Sequence, residues 1–165
     1  MFTFYKAHNN QLYNKLVELS RNIFFYKDLA LKDSFETRII LIFLHLSIIM
    51  IIVKNKKHKF PQKIFDNIFL NVEYHLRELG HGDTSINKKM KTLNRIFYDI
   101  LLKIHSDDSK KFKINKDLVK KHLFQKTEIA DELLVKITKY LERFYDFCFV
   151  LEYDIMIKGQ INFKH

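Results

Sequence analysis

The sequence predicts an all-α fold: a single-domain helical bundle of about five to six helices around a central apolar helix at about residues 34–53. Three observations point there. Only three glycines and one proline interrupt 165 residues, so few sharp turns are encoded. Apolar residues recur at three- and four-residue spacing through most of the chain. The run IILIFLHLSIIMIIV, Ile39 to Val53, is apolar on every side, and such a helix has to be buried somewhere. At 1.5 Å per residue it spans about 22 Å, short of the roughly 30 Å hydrocarbon layer, which favours a wrapped core helix over a membrane span. A chain of this length buries about 70% of its unfolded surface without a covalent staple. The single cysteine, Cys148, makes no internal disulfide and fits a reducing compartment.

In chain order, Leu12, Leu16, Leu19 and Ile23 predict a first helix over residues 9–25, then a turn at Phe25-Tyr26-Lys27-Asp28 with two aromatic anchors. Asp33 or Ser34 caps the central helix. Arg38 and His45, seven residues apart, share a face. Arg38 is expected to pair with Asp66 or Glu73 of the following helix, or else to reach solvent. His45 is expected to be a hydrogen-bonded core histidine. Lys54, Lys56, Lys57, Lys59 and Lys63, with His58 among them, form a basic connection, as suits a helix C-terminus.

The stretch from Phe65 to Lys91, FDNIFLNVEYHLRELGHGDTSINKKMK, reads as a helix, a forced turn and a second helix. Pro61 suits its start, Gly80 the left-handed residue after the first helix, and Asp83, Thr84 or Ser85 the cap of the second. At 100° per residue, Asp66, Glu73 and Arg77 fall within about 40° of one another, while Phe65, Ile68, Val72, Leu76 and Leu79 form a separate apolar face. Phe69 and Leu70 border the charged stripe, so the stripe is expected to be partly covered. Glu73 and Arg77 have the favourable i, i+4 order. A second reading is internal: Arg77 and Glu78 brace the turn from Gly80 through Gly82 to Asp83.

Ile86, Met90, Leu93, Phe97, Ile100 and Ile104 make the next helix amphipathic. Residues 105–113, HSDDSKKFK, form a loop. From Lys110 to Lys126 there are seven lysines against Asp117 alone, so Lys110, Lys111, Lys113, Lys116, Lys120 and Lys121 make a candidate polyanion surface. Phe112 and Phe124 nearby do not form the spaced aromatic array of a base-stacking platform. From Thr127 to about Ile157 one helix is expected, with Ala130, Leu134, Ile137, Leu141, Phe144, Cys148, Leu151 and Ile155 inward, widened by Leu133, Tyr140, Phe147 and Val150. Gly159 then ends it.

The net charge of +10 invites a polyanion, such as ribosomal RNA or anionic lipid, without implying specific DNA recognition. Codon bias of an A+T-rich genome explains the same lysines, and each half of the chain nets +5. The start, MFTFYKAHNN, has neither a signal-peptide pattern nor presequence arginines, so a bacterial cytoplasmic protein is expected. Nothing calls for catalysis, a metal or a cofactor: the chain lacks a Gly-rich phosphate loop, a His-Glu-x-x-His pair, clustered cysteines and a Gly-x-Ser-x-Gly elbow.

Phe65, Asp66, Phe69, Leu76, Arg77, Glu78, Gly80, Gly82 and Asp83, followed by Lys88 and Lys89, together resemble the signature of the ubiquinol–cytochrome c chaperone family, assembly factors of respiratory complex III. The likeness extends upstream through Leu12, Tyr13, Arg21, Phe25, Tyr26, Asp33, Glu36, Arg38 and His45, and downstream to Gly159 and Phe163. The family favours a glycine after the Phe-Tyr pair, where this chain carries Asp99. The resemblance implies a non-enzymatic chaperone, without cofactor, for newly synthesised cytochrome b near the ribosome exit. A small partner protein and peripheral contact with the cytoplasmic face of the inner membrane are implied with it. On that footing the face bearing Asp66, Phe69, Glu73, Arg77, Glu78, Gly80, Gly82 and Asp83 is expected to contact client or partner. Lys88, Lys89 and the 110–126 lysines are expected to face ribosome or lipid. The alternative is a basic helical membrane-surface or RNA-binding module without cytochrome b specificity.

Overall fold

The computed structural model describes residues 11–106, 111–125 and 129–165, and among them no strand is present beyond an isolated antiparallel bridge between His105 and Ile114. The elements are α1 (Gln11–Ser20), α2 (Ile23–Lys27), α3 (Phe35–Asn55), α4 (Gln62–Glu78), α5 (Asp83–Lys103), α6 (Lys116–Val119, continued by a π turn over Lys120–Phe124), α7 (Asp131–Phe149) and α8 (Tyr153–Ile157). The fold is all-α, and α3 is its central apolar helix, packed against α1, α5 and α7.

Ser34 starts α3 by accepting the Thr37 N–H at 3.3 Å, and every residue from Ile39 to Ile49 is buried. The helix is long and apolar enough to cross a membrane, yet 72% of its most apolar window is buried inside the fold. His45 sits at its centre, fully buried. Its Nδ1–H donates to the Leu41 carbonyl at 2.6 Å, so the neutral ring presents Nε2 as an acceptor for the Tyr140 hydroxyl at 2.9 Å. Burial lowers its pKa to about 4, because charging an imidazole away from water is costly. The core histidine expected from the sequence is what the structure holds.

Several expectations are corrected. The first helix breaks at Arg21–Asn22, because the Asn22 side chain accepts the Phe24 N–H at 3.0 Å and opens a new helix. Phe25, Tyr26 and Lys27, expected in a turn, are therefore helical, and Tyr26 donates to the Ser20 carbonyl at 2.6 Å that the break frees. Arg38 pairs with Asp33 at 2.6 Å rather than with Asp66 or Glu73, since Asp33 lies one residue before the cap and within reach of the same turn. Asp83, Thr84 and Ser85 lie inside α5, whose N-cap is Gly82.

The long C-terminal helix ends at Phe149 and restarts at Tyr153. The loop after α3 holds this break: Lys56 donates to the Leu151 carbonyl at 2.7 Å, and Tyr153 donates to the Lys59 carbonyl at 3.0 Å while stacking on His58. The interruption changes the register, so Met156 rather than Ile155 is buried, and Val150 is 79% exposed. Leu134, Ile137, Leu141, Phe144 and Cys148 form the predicted inward stripe, whereas Ala130 is exposed. Gly159 has φ +71°, and a Cβ there would stand 2.7 Å from the Gln11 carbonyl oxygen. That close approach brings Phe163 against Tyr140, Phe144 and Phe147.

Candidate functional site

The turn between α4 and α5 follows from its residues. Gly80 adopts φ +93°, its N–H donates to the Arg77 carbonyl at 3.0 Å and the His81 N–H to the Leu76 carbonyl at 3.3 Å. These are the paired bonds of a Schellman end, which satisfy carbonyls the helix leaves open. Arg77 then crosses the turn to Asp83 at 2.6 Å, with Glu73 at 3.9 Å, and these carboxylates raise its pKa, the Asp83 hydrogen bond foremost. Asp66 lies apart, accepting from Gln62 at 2.8 Å. Of the stripe expected to be partly covered, Glu73 is half-buried while Asp66 and Arg77 are exposed, and Glu78, Gly80, Gly82 and Asp83 are exposed beside it. Phe69 is buried, stacked on Phe43 and edge-on to Phe97. It belongs to the core.

Beside this turn lies an open groove of about 970 Å³. Leu29 and Leu31 enter it from the segment leading into α3, Phe35 and Ile40 from α3 itself, and Leu76 from the end of α4. Leu93 and Ile96 come from α5, Leu123 and Phe124 from the π turn, Ile129 from just before α7 and Leu133 from its first turn. Among the described residues, Lys32, Lys88, Lys89 and Lys121 also line it, with the carboxylate of Glu36. Among the described residues, two of the three non-glycine residues with positive φ, Ala30 at 53° and Gln125 at 46°, line the same groove. Backbone conformations of that kind cost energy and concentrate at functional sites, as π turns do.

Asp99 holds the π turn in place. It sits one turn before Lys103, bonded at 2.6 Å, and also takes Lys121 at 3.0 Å and His122 at 2.7 Å. These partners, Lys103 first, hold its carboxyl well below the usual carboxylate range. A glycine at this position would leave the π turn without its anchor. Of the other predicted basic residues, Lys113 reaches Glu142 at 3.9 Å and shares with Lys111 a second hollow of about 1370 Å³. Lys116 and Lys120 are exposed. Lys110, with residues 107–109 and 126–128, lies outside the described residues.

No group of three or more His, Cys, Asp or Glu among the described residues is placed to hold a metal. Burial pushes the Cys148 thiol up to about 12, so it stays protonated at neutral pH and has no thiolate to offer as a nucleophile. What the geometry presents is an apolar trough with a cationic rim.

The sequence profile described as ubiquinol-cytochrome C chaperone matches residues 27–147. The chain belongs to the ubiquinol–cytochrome c chaperone family. Among solved structures, the Cbp3 homolog from Brucella abortus is similar with a TM-score of 0.72 and 21% identity, over 96% of this chain and 90% of that one. At that identity the likeness speaks for the fold. No curated protein sequence matches this chain. The matched span of the chaperone family contains both the signature turn and every described residue lining the groove beside it. Of the described residues predicted to form sites, Lys88, Lys89 and Lys121 line that groove. Sequence reasoning missed its apolar lining because Leu29 and Leu31 precede a helix and carry no periodic signal. Asp99 was the visible clue, a carboxylate where the family favours glycine.

Proposed function

We propose that this chaperone holds newly made cytochrome b and promotes its maturation into complex III. Membership of the chaperone family carries the assembly role, and the groove supplies a physical means. A client made of membrane helices exposes apolar surface until its partners arrive, and an apolar trough open to solvent shields such a surface for a time. The exposed lysines outside the groove, Lys113, Lys116 and Lys120, suit a polyanionic neighbour such as the ribosome or the cytoplasmic leaflet of the inner membrane. Contact with lipid through Ile39 to Ile49 requires α3 to leave the bundle, since all of these residues are buried.

The test is purification of the tagged chain from its own cells after brief crosslinking, with mass spectrometry of what it holds. Enrichment of cytochrome b over other membrane subunits is expected. Recovery of ribosomal proteins or lipids with no preference for cytochrome b would sink the proposal.

A further inference from the structure

The cations along the α5 side of the groove differ in how they are paired, and the difference constrains what fits it. Along α5, Lys88 and Lys89 stand about ten residues before Asp99, which is about 15 Å of helix. At the Asp99 end, Lys121 and His122 are taken up by that carboxylate. At the other end, no carboxylate among the described residues lies within ion-pair distance of Lys88 or Lys89, and Lys88 is exposed. Between the two ends, Leu93 and Ile96 present apolar surface. Along α5 the trough therefore has one end whose cations, Lys121 and His122, share a carboxylate, an apolar middle and one end where Lys88 and Lys89 stand outside any ion pair among the described residues.

We infer that the groove takes about three turns of an apolar helix whose one end carries carboxylates, seated against Lys88 and Lys89. This rests on the chaperone reading and names the kind of segment such a client offers. An apolar helix laid into a groove is a recurring recognition mode, and charge complementarity at one end fixes its direction more than its strength. The rim also discriminates. Cytoplasmic flanks of membrane helices are commonly rich in Lys and Arg, and Lys88 and Lys89 repel such flanks, so the uncommon acidic-ended helix is selected partly by exclusion of the rest.

Fluorescence anisotropy with the full chain tests this, using three labelled eighteen-residue peptides with the same apolar helical face and Glu-Glu, Gln-Gln or Lys-Lys at one end. The Glu-Glu peptide is expected to bind about tenfold tighter than the Gln-Gln peptide, with the advantage shrinking as salt rises, and the Lys-Lys peptide weakest. The double variant K88Q/K89Q is expected to erase the preference between the Glu-Glu and Gln-Gln peptides without lowering the melting temperature. Equal binding of the Glu-Glu and Gln-Gln peptides, or a preference that survives K88Q/K89Q, overturns the inference. It is also overturned in favour of a lipid if phosphatidylglycerol vesicles bind through these lysines while no peptide does. Cytochrome b captured from cells without any peptide preference would sink this inference alone, and a peptide preference without cytochrome b capture would sink only the proposed client.

Discussion

The turn between α4 and α5 is held by partners no more than six residues apart, Arg77 and Asp83 being the most distant. The π turn on the groove beside it is held by Asp99 reaching Lys121 and His122, twenty-two and twenty-three residues further on. The first is a local device, complete once two helices form. The second exists only when α5 and α6 dock. The local device carries the family signature and lies in solvent; the assembled one carries the apolar surface that a chaperone needs.

Leu76 belongs to both regions, since it lines the groove and its carbonyl receives the His81 N–H. It is 1% exposed, so Leu76→Ala is expected to cost about 3 kcal/mol in urea denaturation, the usual scale for a buried leucine. A loss under about 1 kcal/mol would show that turn and groove do not share this support.

Next in size is an acid effect on the core that carries both regions. The pKa of His45 is lowered in the folded state to about 4 from 6.5, so between those values the unfolded chain binds more protons. Stability from this group is therefore complete above about pH 6.5 and falls as the pH drops towards 4. About 2 kcal/mol should be lost between pH 7 and pH 5, and His45→Gln should show little of that slope. An unchanged slope in the variant would mean that other groups carry it.

The turn and the groove separate in the smaller effects. Gly80→Ala forces a side chain into φ +93° and should cost about 1–2 kcal/mol, while Gly82→Ala, at φ −79°, should cost clearly less. Equal costs would count against the left-handed end of α4. Asp99→Asn should cost about 1 kcal/mol in urea melts and weaken peptide binding in the groove by loosening Lys121 and His122. Arg77→Ala is expected to change neither the urea midpoint nor groove binding measurably, because its partners face solvent. Loss of cytochrome b capture in a stably folded Arg77→Ala chain would return the site to the signature face.

The sequence by itself determined the all-α class, the burial of α3 and of His45, the left-handed Gly80 and the inward stripe of α7 through Cys148. Each of these is set within a few turns of one helix, by apolar spacing or by backbone chemistry that only glycine tolerates. Tertiary structure alone decided that α1 and α2 are separate, that α7 and α8 break where Lys56 and Tyr153 bond across to neighbouring loops, and that Arg38 turns to Asp33. It also decided the groove, gathered from segments between Leu29 and Leu133. No periodicity announces such a site, because its residues become neighbours only after the long helices have closed on α3.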